Sequence, residues 1–365
     1  MEENAASQTD ERHVFDRLVL ANGQLSTPHK IDIKGIEKFE GDAVHSVQFK
    51  DPSRYEGKNV LIVGVGATGA DTQSFLQKAK ARSVHMSHRG QYYLSAEHRI
   101  PVFSSNLAEN LRDGVTKSVQ GVSEVTGPRS VAFTDGTVLH DIDAIIICTG
   151  YHFDFSLLRD AGDPTDPTKA PDHYERINAA RYKDPHVSFP RLYRGFISEQ
   201  YPESLAVIGH FLLAKPTFVL NDLATMALAS IWSGAAPLPT REEMARDINS
   251  HYDTIVSTLK RGPVPHMGFR MFGSKNYEWV NKVAGTGVTD RLACFSLEAW
   301  KLWWNDRTFY NLLMDGVDEP AVYRLFETGR GRKPWSGARE QILKTNDEVN
   351  QMAEKWKKEN SPKSK

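Results

Sequence analysis

The feature that most narrows what this chain can fold into is a glycine run set at the end of a strand. Asn59–Val63 (NVLIV) is β-branched, apolar and of strand length. Gly64-Val65-Gly66-Ala67-Thr68-Gly69 follows at once and fits G-x-G-x-x-G. A helix is expected from about Ala67 to Ala79, and Ser83–Ser87 (SVHMS) reads as the next strand. Each glycine has a use. Gly64 permits a tight turn out of the strand, Gly66 lets backbone approach a pyrophosphate, and Gly69 lets the helix pack close to the strand. The free N–H groups at the helix start favour an anion. In this context the run reads as a dinucleotide site; a glycine-rich turn with no ligand is the other reading.

The end of the second strand bears on which dinucleotide. An acid there would bond a ribose 2′-hydroxyl. The sequence is instead Ser87-His88-Arg89. Arg89 offers a fork of donors suited to a 2′-phosphate, so NADP is expected over NAD. An exposed surface cation is the other reading of Arg89.

The rest of the sequence removes other classes. Lys+Arg (45) and Asp+Glu (46) balance, so a strongly basic nucleic-acid binder is not expected. Two cysteines, Cys148 and Cys294, can build neither a disulfide framework nor a four-thiolate zinc site, and they fit a reducing compartment. His85 and His88 point to opposite faces of a strand, and no metal site is expected. Cys148 ends a buried strand and reads as a packed thiol. Neither G-x-S-x-G nor H-E-x-x-H occurs, so hydrolase chemistry has no support. No signal peptide, membrane anchor or spanning segment is read, and a soluble cytoplasmic protein is expected.

Other elements are expected as follows. Phe15–Ala21 reads as a strand ending at Asn22-Gly23. Residues 24–57 read as a connector with little regular structure. Asp135-Gly136 marks a hairpin, and Asp143–Cys148 is a buried strand. Residues 161–190 read as a long loop. Leu205–Ile208 is a strand, and Leu220, Leu223, Ala224, Ala227, Leu228 and Ile231 form one buried helix face that Gly234 ends. Thr240 and Glu243 match a capping box, and a helix with the stripe Met244, Ile248, Ile255, Leu259 follows. Residues 261–290 read as irregular, Leu297–Leu313 as an aromatic-rich helix, and Glu354–Lys365 as a solvated tail.

Further motifs, in the right order along the chain, carry a resemblance. Phe39 to Phe49 (FEGDAVHSVQF) fits F-x-G-x-x-x-H-x-x-x-[YF], the motif of flavin-containing and Baeyer–Villiger monooxygenases, and it precedes the G-x-G-x-x-G. Cys148-Thr149-Gly150-Tyr151 resembles the family's A-T-G-Y, with Cys for Ala. Leu20-Ala21-Asn22-Gly23 resembles its earlier crossover. Ser204–His210 with the helix after it resembles the returning strand and helix of the flavin domain. Tyr323-Arg324-Leu325 and Trp335-Ser336-Gly337-Ala338-Arg339 resemble its C-terminal segments. Alone, His45 reads as a structural histidine, Gly41 as a turn residue and Tyr151 as a core aromatic; their shared order carries the resemblance, which favours the flavin-containing monooxygenase branch.

That resemblance implies NADPH- and O2-dependent oxygenation of a soft nucleophile, an amine or a sulfide, with FAD and NADP as cofactors. It implies an α/β fold, a Rossmann-type NADP domain (58–147) inserted in the remnant of a second, FAD-binding α/β domain (1–57 and 148–365). The cofactor-binding residues expected are Gly64, Gly66, Ala67, Thr68, Gly69, Ser87, His88 and Arg89, with Ala21, Asn22, Gly23, Thr149, Gly150 and Tyr151 from the crossovers. No catalytic residue is assigned. The family's first G-x-G-x-x-G, for FAD, has no counterpart before Phe15. An N-terminally incomplete enzyme with doubtful FAD binding is therefore expected. The alternative is a catalytically silent NADP-binding homologue or a partner of a complementing FAD-binding chain; a homo-oligomer is a further expectation.

Overall fold

The computed structural model describes residues 13–23, 25, 27–29, 31–89, 106–158, 162–166, 168, 190–210, 215–259, 274–293, 295–329 and 331–360. Its strands are β1 (Leu18–Leu20), β2 (Thr27–Pro28), β3 (Asp42–His45), β4 (Asn59–Val63), β5 (Ser83–Ser87), β6 (Thr116–Val119), β7 (Val122–Gly127), β8 (Ser130–Phe133), β9 (Val138–Leu139), β10 (Ala144–Ile147), β11 (Tyr151–His152), β12 (Leu192–Tyr193), β13 (Ile197–Ser198) and β14 (Leu205–Val207). Its α-helices are α1 (Ala67–Lys78), α2 (Leu107–Arg112), α3 (Thr217–Trp232), α4 (Arg241–Leu259), α5 (Ser274–Ala284), α6 (Val288–Arg291), α7 (Leu297–Asn305), α8 (Arg307–Asp315) and α9 (Ala338–Asn360). The described residues form two compact units. One holds those within Gly23–Leu157 and Thr258–Phe269, the other those within Met1–Asn22, Leu158–Ser257 and Arg270–Lys365.

The first unit is built on a five-stranded sheet of order β3-β10-β4-β5-β6, parallel at every step. Alternation along the strands splits its core in two. Val60, Ile62, Ala144 and Ile146 meet Ala70 and Leu76 of α1 and Leu107 of α2 on one face. Leu61, Val63 and Ile145 meet Val125, Val131 and Phe133 of the antiparallel β7–β8–β9 meander on the other. Covering both faces is why Val60–Val63 and Ala144–Ile147 are apolar without interruption. The α/β, Rossmann-type class that the resemblance implies is the class observed.

Register at the strand starts is set by polar ties. The Asn59 amide donates to Asp143 Oδ2 (2.8 Å) and the Asp42 amide to the Asp143 carbonyl (3.1 Å), which holds β10 between β3 and β4. Gly41 fits beside that carbonyl because it lacks a side chain: a Cβ would lie 2.4 Å from the Asp143 oxygen. The segment read as a connector, 24–57, thus contains β3, a full member of the sheet. Its residues are mostly half-buried, as suits an edge strand, and they carry no apolar alternation that would mark them.

In the second unit, β1 pairs in parallel with β14, and β13 and β12 continue that sheet. The expected helix face of α3 is buried, and α3 ends at Gly234 in the left-handed region (φ +74°). The capping box at α4 is formed: the Thr240 amide donates to Glu243 Oε2 (2.9 Å) and the Glu243 amide to Thr240 Oγ1 (3.3 Å). Arg191, 6% exposed, donates Nε to Glu199 Oε2 (2.6 Å), Nη2 to Oε1 (2.5 Å) and Nη1 to Asn249 Oδ1 (3.0 Å).

Three expectations in this unit change. Residues 261–290 carry α5 and α6 rather than irregular chain, though 260–273 lie outside the described residues. The aromatic helix is two helices, α7 and α8, broken at Asp306, whose carboxylate accepts the Phe309 amide (3.0 Å) and so caps α8. The charged C-terminal stretch is helical to Asn360, because Glu, Lys and Gln are good helix formers even without a buried face. Most of the loop read at 161–190 lies outside the described residues.

The C-terminal motifs pack this unit together. The Tyr323 hydroxyl donates to Asp318 Oδ1 (2.9 Å), Arg324 pairs with Asp222 (2.6 Å), and Arg339 pairs with Asp306 while its guanidinium stacks on Phe309 (4.1 Å). Among the described residues no helix is long and apolar enough to cross a membrane, and no group of three or more His, Cys, Asp or Glu is placed to hold a metal ion.

Candidate functional site: the glycine turn between β4 and β10

The β4–α1–β5 crossover leaves β4 on one side, and β10 lies on the other. The carboxyl end of β4 is therefore a point where strand order reverses, which is where open α/β sheets bind ligands. The glycine turn occupies that point. Gly64 has φ +117°, and a Cβ on it would lie 2.4 Å from the Cys148 carbonyl oxygen at the end of β10. A Cβ on Gly69 would lie 2.2 Å from the Gly64 carbonyl oxygen. Gly66 differs: no atom lies within 4 Å of where its Cβ would be. Two glycines are thus demanded by the protein's own backbone, and the third faces open space, where a ligand can approach the main chain.

The start of α1 adds main-chain donors beside this turn. Gly66 is the N-cap and brings no side chain to it, and the first intrahelical bond runs from Ala70 N to the Gly66 carbonyl (3.0 Å). The amides of Ala67, Thr68 and Gly69 therefore have no acceptor within the helix, and Ala67 and Thr68 are exposed. Unpaired amides and the helix dipole together favour a phosphate group here.

At the end of β5 the three expected residues do different things. Ser87 is buried, and its hydroxyl donates to the Gln120 carbonyl (2.7 Å). The His88 amide donates to the Val119 carbonyl (3.1 Å), and His88 Nε2 lies 2.8 Å from Ser118 Oγ. Arg89 is exposed, and among the described residues no carboxylate pairs with it. Of the three, Arg89 holds its charge outward.

Beside the turn, Thr149, Gly150 and Tyr151 are gathered by two histidines. The Gly150 carbonyl accepts from the His29 amide (2.9 Å) and from His45 Nε2 (3.2 Å). Thr149 Oγ1 donates to the His29 carbonyl (2.9 Å). His45 Nδ1 accepts from the Val47 amide (3.3 Å), so its proton sits on Nε2 and the ring is neutral. The Tyr151 ring meets His45 edge-on, with centroids 5.1 Å apart. Burial lowers the His45 pKa, opposed by the bond to Gly150. Gly150 has φ +94° and open space at its Cβ position, a second point where backbone is accessible.

Cys148 points to the core, with Sγ 3.7 Å from Thr72 Oγ1, and burial pushes its thiol up to about 11. That rules it out as a nucleophile near neutral pH. Sequence reasoning passed over His29 and His152, whose Nδ1 and Nε2 lie 2.8 Å apart, and over Gln120 and Gly121 beside Arg89. No periodicity marks these residues, because their partners lie more than 30 residues away in the chain. Ala21 and Asn22 are exposed at the end of β1 in the other unit, and Gly23 has φ +78°.

Residues 7–184 match the pyridine nucleotide-disulphide oxidoreductase family. The chain is 29% identical to monooxygenase aurF of Gibberella zeae, over 91% of this chain and 72% of that protein. It is 25% identical to dimethylaniline monooxygenase (N-oxide-forming) 2 of Rattus norvegicus, over 92% of this chain and 66% of that one. The solved structure of S-allyl-L-cysteine S-oxygenase from Allium sativum superposes with a TM-score of 0.53 at 20% identity, covering 92% of this chain and 64% of that one. This last likeness is one of fold. The chain spans from 64% to 72% of the length of these three relatives.

Proposed function

We propose that the chain is a member of the flavin-containing monooxygenase family, as its likeness to named monooxygenases supports, and that it serves an NADPH- and O2-dependent oxygenation of a soft nucleophile, an amine or a sulfide. Substrate, O2, NADPH and a proton give oxygenated substrate, water and NADP. The observation that carries the NADP half is the open main chain at Gly66, set at the sheet's reversal point beside the unpaired amides of Ala67, Thr68 and Gly69.

In this reading those amides hold the pyrophosphate, and Arg89 holds the 2′-phosphate. A carboxylate at the end of β5 would repel that phosphate, and none stands there. Ser87 and His88 act on the cofactor through the backbone they brace. FAD, when bound, supplies the oxygen chemistry that these side chains lack. Thr149, Gly150 and Tyr151 are assigned to that side, with the Gly150 peptide held in orientation by His29 and His45.

Titration of NADPH and NADH tests this. Arg89→Ala is expected to weaken NADPH by roughly 10- to 100-fold, the worth of a charge-assisted bond, and to leave NADH nearly unchanged. Gly66→Asp is expected to abolish binding of both, through bulk and charge. Sulfoxide formed from a sulfide at the expense of NADPH, with FAD added, supports the oxygenase reading. Failure of NADPH to bind the wild-type chain overturns it.

A further inference from the structure

Gly121, at the turn from β6 to β7, has no backbone reason to be glycine. It is not among the glycines with positive φ, so an L-residue suits its conformation. What a side chain would meet there is the stem of Arg89: a Cβ on Gly121 would lie 3.1 Å from Arg89 Cγ, with Thr134 Cγ2 (3.7 Å) and the His88 carbonyl oxygen (3.8 Å) next. Real Cβ atoms rarely sit so close, and a long flexible side chain gives way before backbone does. The stem of Arg89 therefore lies across a gap that exists because residue 121 has no side chain.

The turn itself is laced to the end of β5. Ser87 Oγ donates to the Gln120 carbonyl (2.7 Å), the His88 amide to the Val119 carbonyl (3.1 Å), and the Thr134 amide to the Gly121 carbonyl (2.8 Å). Three consecutive residues, Val119, Gln120 and Gly121, thus form a shelf under Ser87, His88 and Arg89. Held this way, the shelf cannot move aside for an added side chain, so the Arg89 stem must.

We infer that Gly121 is a positioning residue that sets where the Arg89 guanidinium stands, and so sets the preference for a dinucleotide bearing a 2′-phosphate. The inference rests on the assignment of Arg89 to that phosphate and deepens it. Arg89 supplies the charge, and Gly121 supplies the course its stem takes. A side chain at 121 displaces the charge without removing it, which separates the two roles.

The test is a double-mutant cycle on Gly121→Val and Arg89→Ala, read with NADPH, NADH, 2′,5′-ADP and 5′-AMP on the full chain. Gly121→Val is expected to lower the NADPH/NADH affinity ratio by about 10-fold, the low end for a displaced charge-assisted bond, with NADH within about twofold of wild type. In the Arg89→Ala background the same substitution is expected to change the ratio no further, the signature of two residues acting through one contact. Gly121→Ala, with a smaller side chain, is expected to fall between. It also reads the ratio if Gly121→Val fails to fold.

Thermal melts of each variant report whether the fold is kept. A loss of fold weakens both nucleotides alike, whereas the inferred role moves their ratio. A lowered ratio in Arg89→Ala beside an unchanged ratio in both Gly121 variants overturns the inference alone. Equal affinity of the wild-type chain for NADPH and NADH overturns the reading of Arg89, and the inference with it.

Discussion

His45 Nε2 donates to the carbonyl of Gly150 across 105 residues of chain, and the fold favours that ring in its neutral form. Its Nδ1 accepts from the Val47 amide, so a second proton costs that bond. The histidine of the F-x-G-x-x-x-H motif is thus a brace between β3 and the turn after β10.

Stability is expected to fall on acidification for that reason. The pKa of His45 is lowered by burial, and that of His85 by burial and then by Lys117. A histidine with a lowered folded value gives stability that is whole above its unfolded pKa of about 6.5, and that is lost as pH falls through the folded value. Melting temperatures measured from pH 8 down to pH 5 should decline below about 6.5. His45→Gln keeps a donor for Gly150 but cannot titrate, so its decline should be shallower. A profile flat across the range counts against this account.

The glycines of the turn should separate by consequence. Gly64→Ala places a Cβ against the Cys148 carbonyl in a conformation that L-residues avoid, and is expected to cost about 2 kcal/mol or more of folding stability. Gly66→Ala meets open space and should melt near wild type while losing dinucleotide affinity. Denaturant unfolding and nucleotide titration on the two variants check this. A stable Gly64→Ala would show that the turn relaxes more than its contacts allow.

Cys148 should resist alkylation in the native protein. With its thiol pushed up to about 11 by burial, almost none is thiolate at pH 8. Peptide mapping after iodoacetamide treatment should find it unlabelled until denaturant is added.

Glu199→Ala should destabilise the second unit by roughly 3 kcal/mol, the low end for breaking a buried ion pair. The substitution removes two charge-assisted bonds from the buried Arg191 guanidinium. Arg191→Met with Glu199→Met should recover much of that loss, since the buried charge then goes together with its carboxylate.

What the sequence made legible followed from local rules. Asn59–Val63, the glycine turn, α1 and Ser83–Ser87 each carry their own signal in apolar runs and glycine spacing, and so do the capping box at Thr240 and the stop at Gly234. Asp42–His45 does not, because an edge strand of four half-buried residues is defined by its partner, Ala144–Ile147. The split at Asp306 was hidden because an aspartate inside an aromatic run looks like one polar residue until its carboxylate is seen capping Phe309. At the candidate site, the strand–glycine–helix turn was readable by spacing. The shelf formed by Val119–Gly121 was not, since it consists of carbonyl groups and a missing side chain.

The place of β10 has a consequence for how the chain comes together as it leaves the ribosome. β3 and β4 are close in sequence yet never touch as strands, because β10 lies between them and emerges only after the whole β5–β9 stretch. Until Ala144–Ile147 arrives, the nascent sheet keeps an open flank at β4, and Cys148 is not yet there to close the glycine turn. The turn therefore acquires its final shape late, and pauses or truncations before residue 148 leave an apolar edge exposed to neighbouring chains.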